Sequence, residues 1–370
     1  MRVWFLSNGL GEERAAALVA AALARMRPGL PVIGAPLVTN GREFSSRGLR
    51  VATTGVLPPS GGFPATSVQT LIRDLPTVPR YAGYVRRLRR LRCQGDACIV
   101  AGDVFLLGLG RLGLGRAAVH LALAKSVHGR PHSRVEHVLL RRWAELVLAR
   151  DEATAQRLQD RGVRATFLGN PLVDGFPLPR SGAGPCPLVL LLPGSRSEAP
   201  VNLIRLLDVA AAVDEPATWI VAWPDSQPID HALREAVRVG WHAENGRLQR
   251  SGRTVMISAG TFDALVSESD VVVGLAGTAN EQAAGLGKPV VTSVGSGPQT
   301  TAARMEEQAR LLGGAARFVD GPVGAVAAEV SLLLASPEER RRRGALGLAR
   351  LGPCGAARRI AERVLQELSL

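Results

Sequence analysis

The chain has 370 residues, 46% of them hydrophobic and 4% aromatic, which excludes a disordered polypeptide; it is long for one core, since domains commonly hold about 100–200 residues. Its formal charge of +13 favours anionic partners such as nucleic acid, an acidic membrane surface or phosphorylated substrates, although Arg far outnumbers Lys and part of the charge is what an Arg-rich proteome gives. The four cysteines, Cys93, Cys98, Cys186 and Cys354, make no C-x-x-C pair and stand by no histidine cluster, which argues against a disulfide framework or zinc site and for reduced thiols in a cytoplasmic protein.

Val3–Ser7 reads as a strand, Gly9 and Gly11 as the turn after it, and Glu13–Met26 as a helix. This first apolar run is too short for a signal-peptide core, and no uncharged stretch approaches the ~20 residues of a membrane span, so membrane contact is expected to be peripheral. The run RRLRRLRC, Arg86–Cys93, follows Tyr81 and Tyr84 with leucines at helical spacing. It reads as an amphipathic helix for an anionic membrane surface, or as a solvated helix packing its leucines on a sheet.

Ala97–Gly102, Ala117–Ala124 and Leu146–Ala149 read as buried strands. Asp103 directly follows the first of these, where a carboxylate serves either as a general base or as a helix cap. The stretch GLGRLGLGR, Gly108–Arg116, contains G-x-G-x-x-G, but the strand before it ends six residues earlier and no acidic strand end follows, so a nicotinamide site is not indicated. Ala124–His137 carries three of the six histidines without ligand spacing and reads as a solvated or phosphate-facing loop, not a metal site. Asp151 is placed to cap the next helix, and Ala165–Gly169 reads as a further strand.

Pro and Gly crowd Phe176–Pro187, an expected interdomain linker, and the pattern then restarts. Leu188–Gly194, Ala217–Trp223, Thr254–Ser258 and Asp270–Gly274 read as strands, Val201–Val213 as a helix, and the chain from about Ala325, with the run Arg340–Arg343, as helical and Arg-rich. Strand, helix, strand with short turns predicts parallel sheets covered on both faces. The fold class is therefore α/β, with two Rossmann-like doubly wound domains, residues 1–176 and 185–350, and a C-terminal helical segment, residues 351–370, packing back on the first. Open sheets of this kind bind ligands beyond the carboxyl ends of their strands, so both are expected to face one cleft.

Two stretches of the second half could hold an anion. In Val273–Val291, VGLAGTANEQAAGLGKPVV, small residues lead into a helix whose unpaired N–H groups suit a diphosphate, with Glu281 one turn in for ribose hydroxyls. Thr278-Ala279-Asn280-Glu281 equally fits a capping box. In LLLPGSRSE, Leu190–Glu198, a strand ends at Pro193-Gly194; Arg196 offers a forked guanidinium to phosphate, or Ser195 and Glu198 cap the next helix. The Gly-rich SNGLGEE, Ser7–Glu13, is weaker, since tight βα turns need glycine anyway.

These stretches together resemble lipid-A-disaccharide synthases, and most closely a branch described as lipid-A-disaccharide synthase-related. Its pattern runs through SNGxGE (Ser7–Glu12), GDV (Gly102–Val104), AKS (Ala124–Ser126), RDEATA (Arg150–Ala155), GNPLVDG (Gly169–Gly175), GTANEQAAGLGKPV and GPQTTAARMEEQARLLG (Gly297–Gly313). The resemblance implies a GT-B fold and inverting transfer of a sugar, of the N-acylated glucosamine type, from a UDP-sugar co-substrate to a lipid-linked acceptor, with no metal and no other cofactor. It implies that Gly194, Ser195 and Arg196, with Gly277, Thr278 and Ala279, face the donor phosphates. Glu281 would hold the ribose, Gln282 and Gln299 would lie near the sugar, and Gly9, Gly11, Lys125 and Ser126 would shape the acceptor side. Asp103 is the candidate base, although the family's D-x-P-D-F signature is absent, and Leu10 stands where the branch usually has His. A cytoplasmic protein at the inner face of the cytoplasmic membrane follows, with a homodimer left open. A UDP-sugar 2-epimerase of the same fold, or a non-catalytic nucleotide- or nucleic-acid-binding protein, are the alternatives. Scarce aromatics and the lack of a recognised binding module speak against nucleic acid.

Overall fold

The computed structural model describes residues 1–55, 78–178 and 186–370; residues 179–185 of the expected linker lie outside the described residues. The chain divides into two compact units, Met1–Asp174 with Gly352–Leu370, and Gly175–Leu351.

Among the described residues, unit 1 is built on seven parallel strands: β1 Val3–Ser7, β2 Val32–Pro36, β3 Arg50–Val51, β4 Ala97–Ala101, β5 Ala117–Ala122, β6 Ala144–Ala149 and β7 Ala165–Thr166. Their order is β3-β2-β1-β4-β5-β6-β7. The described helices between them are α1 Leu10–Met26, α2 Arg42–Ser45, α3 Val78–Leu91, α4 Val104–Gly113, α5 Arg134–Trp143 and α6 Glu152–Gln159. Along β1 the side chains alternate: Trp4 and Leu6 enter one core with Tyr84, Val85 and Leu88 of α3, while Val3 and Phe5 enter the other with the alanines of α1. Both faces are covered, so the strands carry apolar residues at nearly every position.

The last helix, Ala356–Glu367, closes the second face of unit 1, placing Ala357, Ile360, Ala361 and Val364 in the core with Val19 and Leu23. Asp174 secures it. Its carboxylate accepts the N–H of Gly355 at 2.6 Å and of Ala357 at 2.5 Å, at the otherwise unsatisfied helix start. Asn170 accepts the N–H of Leu172 at 3.0 Å, and Arg359 donates to the Leu168 carbonyl. The GNPLVDG stretch is thus the seat of the terminal helix.

The described residues of unit 2 form eight strands: β8 Leu188–Leu192, β9 Thr218–Trp223, β10 His242–Glu244, β11 Arg247–Arg250, β12 Arg253–Ala259, β13 Val271–Gly274, β14 Val290–Ser293 and β15 Ala316–Val319. The order is β10-β11-β12-β9-β8-β13-β14-β15. All pairs are parallel except β10 with β11 and β11 with β12. Those two hairpins turn on Asn245-Gly246 and Ser251-Gly252, all four residues at positive φ, as two-residue turns between twisted strands require. The helices are α7 Ala199–Ala212, α8 Ile229–Arg238, α9 Phe262–Glu268, α10 Thr278–Gly285, α11 Ala302–Leu312, α12 Val323–Ala335 and α13 Pro337–Leu351.

Several expectations are corrected. Helix α1 begins at Leu10, so Gly11 lies within the helix and not in the turn before it. The strand expected over 165–169 ends at Thr166, and the helix expected from Val201 begins at Ala199. The glycines of Gly108–Arg116 lie mostly in α4, where Gly110 and Gly113 let the helix approach Leu6, Val100 and Leu88 closely. Leu88 of the RRLRR run is fully buried, so that helix turns its apolar side to the sheet and its arginines outward. Arg343 of the second basic run is 5% exposed, paired with Glu329 at 2.5 Å and Glu339 at 2.7 Å, and Arg340 donates to the Leu333 and Leu334 carbonyls. Half of that run therefore fastens α13 to α12.

Candidate functional site

In each unit the strand order reverses once. The chain runs from β8 outward to β9 and then returns to place β13 on the other side of β8; likewise β4 returns to the other side of β1. At such a reversal the connections leave in opposite directions, opening a crevice beyond the carboxyl ends of the two strands. The topology places Gly194–Arg196 and Gly277–Ala279 beyond one such pair, and Gly9 and Asp103 beyond the other.

In unit 2, β8 and β13 are in register, Leu192 opposite Gly274, and Leu275 donates its N–H to the Leu192 carbonyl at 2.8 Å. Gly194 has φ +92 and a Cβ there would sit 3.0 Å from the Leu275 carbonyl, so both backbone and space require glycine. A third loop joins from β14: Asn202 of α7, 3% exposed, donates to the Pro193 carbonyl at 3.2 Å and accepts the N–H of Ser296 at 2.6 Å. From β9, Ser226 donates to the Ser195 carbonyl at 3.0 Å. Gln299 lies half-buried in the β14 loop. Four strand ends thus deliver one cluster of loops in which Ser195, Arg196, Gly277 and Thr278 are exposed.

Helix α10 starts on Gly277, with no side-chain cap. Thr278 is its first residue and not its cap, so Glu281 is one position too far along for the capping box that the sequence also allows. Glu281 and Gln282 are buried, while the helix start in front of them is open. The N–H groups of a first turn without a side-chain cap suit an anion. Glu198 stands at the cap position of α7 but makes no cap hydrogen bond. Lys288 turns away from these loops, donating to the Ser267 carbonyl at 2.7 Å.

Sequence reasoning missed the residues that tie the loops. Asn280, fully buried, donates to the Gly274 carbonyl at 3.0 Å and to Gln308 at 2.9 Å; Gln308 donates to the Gly277 carbonyl at 2.8 Å. Thr292 donates to the Gly274 carbonyl at 2.7 Å. A polar residue within a run of small ones, as in GTANEQ, is the sequence signal for Asn280.

In unit 1, Asp103 caps α4, accepting the N–H of Leu106 at 2.9 Å. Burial pushes its carboxyl above the ordinary range, against the stabilising N–H bonds; Glu136 adds to the rise and Lys125 opposes it. Lys125 donates to Glu136 at 2.8 Å. Ser126, 2% exposed, donates to Asp151 at 2.6 Å, and Asp151 caps α6 through Thr154 at 2.8 Å. The AKS and RDEATA stretches therefore lock two strand ends together, and Ser126 faces inward. Of the histidines nearby, His128 and His132 are half-buried in a loop with exposed Arg130, Pro131 and Ser133, burial brings His132 down to about 4, and His137 is buried on α5. Among the described residues no group of three or more His, Cys, Asp or Glu is arranged to hold a metal ion, and no helix is long and apolar enough to cross a membrane.

No protein-family model matches the sequence, and no curated protein matches it in sequence. The structure is similar to the calicheamicin glycosyltransferase CalG4, at 17% identity over 100% of this chain and 98% of the other, TM-score 0.65. It is also similar to the UDP-GlcNAc 2-epimerase from Neisseria meningitidis bound to UDP-GlcNAc, at 15% identity over 99% and 100%, TM-score 0.61. MurG of Acinetobacter baumannii matches at 13% identity over 99% of each chain, TM-score 0.61. At these identities the likeness establishes the fold: two α/β domains with parallel-strand sheets, the GT-B fold of glycosyltransferases and UDP-GlcNAc 2-epimerases.

Proposed function

We propose that the chain is an enzyme acting on a UDP-sugar, and specifically an inverting glycosyltransferase that moves an N-acylated glucosamine-type sugar to a lipid-linked acceptor, in the manner of lipid-A-disaccharide synthases. The observation that carries the proposal is the junction of the β8 and β13 loops, where paired strand ends lead into the exposed loop of Arg196 and into an uncapped helix start with a buried acid one turn behind. Solved structures of this fold hold UDP-GlcNAc or UDP, which supports uridine diphosphate as the anion.

In this reading the N–H groups of Gly277–Ala279 and the guanidinium of Arg196 take the growing charge of the leaving diphosphate, and Glu281 takes the ribose hydroxyls. Gln282 and Gln299 border the sugar. Asp103 removes the acceptor's proton, and the leaving diphosphate is stabilised by Arg196 and the helix start, with no metal or further cofactor required in this reading. The lipid acceptor assigns the protein to the inner face of the cytoplasmic membrane, with the outward arginines of α3, Arg86, Arg87, Arg89 and Arg90, meeting anionic headgroups by charge and not by insertion.

The second reading, a UDP-sugar 2-epimerase, is favoured by the match to the Neisseria meningitidis epimerase over the whole chain. One assay separates them. Purified protein is incubated with UDP-GlcNAc, with and without an extract of bacterial membrane lipids, and UDP and the sugar products are measured. Lipid-dependent UDP release with label in the lipid fraction supports transfer; lipid-independent appearance of the 2-epimer supports the epimerase. Absence of UDP binding in calorimetry overturns both.

A further inference from the structure

The polarity of the amide chain behind the helix start is fixed by its two ends. The carbonyls of Gly274 and Gly277 only accept. Gln308 must therefore present its amide nitrogen to Gly277, which leaves its oxygen for Asn280, and Asn280 must present its nitrogen to Gln308 and Gly274 together. The Asn280 oxygen is left without a partner although the residue is fully buried, and it occupies the place a Cβ on Gly274 would need. Leaving a buried oxygen unpaired is unfavourable, so the arrangement sacrifices one hydrogen bond to hold two backbone carbonyls. Holding those carbonyls on the Gln308 side fixes the peptide planes between them and the direction of the N–H groups at the start of α10.

We propose that Gln308, acting through Asn280 and Gly277, is a positioning residue that sets the helix start in advance for a diphosphate. The inference rests on the reading of this loop as a phosphate site. Gln308 is half-buried on α11 and need not touch the ligand; its effect is to spare the loop a reorientation on binding.

The test compares UDP with uridine, which shares the base and ribose but lacks phosphate. Gln308→Met keeps the size and removes both hydrogen bonds; Gln308→Glu keeps the acceptor toward Asn280 and sets an oxygen against the Gly277 carbonyl. Affinities are measured by calorimetry for UDP and by ligand-observed NMR for uridine, with melting curves for each variant. The expected result is a UDP affinity lowered about tenfold in Gln308→Met and further in Gln308→Glu, about the worth of one charge-assisted hydrogen bond, with uridine affinity unchanged. Unchanged UDP affinity in both variants, or equal losses for UDP and uridine, overturns the inference while leaving the phosphate site in place. A wild-type chain that binds uridine as well as UDP overturns the phosphate reading itself, and the inference with it.

Discussion

Asp103 accepts the backbone N–H of Leu106 at 2.9 Å, so the carboxylate proposed as base also begins a helix. The two duties separate by substitution. Asp103→Asn retains a capping oxygen and loses the base; Asp103→Ala loses both. Turnover should fall about 10²–10⁴-fold in each, while Asp103→Ala alone also loses about 1 kcal/mol of stability. Full turnover in Asp103→Asn, measured as sugar transfer to lipid, assigns the residue to capping and nothing more.

The same residue predicts a pH profile. Burial raises the Asp103 carboxyl, so it keeps its proton to higher pH than an ordinary aspartate, and a base works only when ionised. Turnover should climb as pH rises through a limb lying above the usual carboxylate range. A limb at the ordinary position, or one that persists in Asp103→Asn, removes Asp103 from the chemistry.

Arg196 and Glu281 are expected to differ in kind. Arg196→Lys keeps the charge but not the fork, and should lower kcat more than it weakens UDP binding, because charge on the diphosphate grows toward the transition state. Glu281→Gln should weaken UDP by roughly tenfold with little change in kcat at saturation. Equal effects of both substitutions on KM alone would place Arg196 among the ground-state contacts.

Asp96 supplies a stability test far from the candidate site. Burial raises its carboxyl, but bonds from Arg2, from the Cys93 N–H and from Trp4 outweigh this and bring it down to about 2 from 3.8. Arg2 donates to it at 2.6 Å and Trp4 at 2.9 Å. A depressed carboxyl stabilises the fold above its unfolded value and loses that contribution as pH falls through the folded one. The wild type should therefore lose on the order of 2 kcal/mol between about pH 4 and pH 2 that Asp96→Asn does not lose over the same range, read by denaturant titration.

Asp174 makes two short bonds to the start of the last helix. Asp174→Ala should cost about 2–4 kcal/mol and expose 352–370 to limited proteolysis before the rest of unit 1. Protection equal to wild type would show that apolar packing against α1 suffices.

The sheets were legible because β1, β8 and β13 are apolar runs ended by glycine or polar residues, and the helices between them are long enough for their period to show. The hairpins of β10–β12 were not read, although Asn245-Gly246 is a turn signal, because the flanking strands are short and charged. The capping box over 278–281 misled by one position: spacing alone does not say which residue leaves the helix, and the small Gly277 does. The role of RRLRRLR also needed the structure, since an amphipathic helix reads alike whether its leucines meet lipid or, as Leu88 does, a sheet. Asn280 and Gln308 stand 28 positions apart, and no local pattern announces that two amides meet.

Because 352–370 completes the core of unit 1 while 175–351 forms a unit of its own, the later-coded unit is an insertion within the earlier one. A ribosome therefore delivers the closing helix of unit 1 only after the whole inserted unit has emerged. The nascent first unit waits with the alanine face of its first helix uncovered, and removing 352–370 would injure the amino-terminal half of the molecule, far away in sequence.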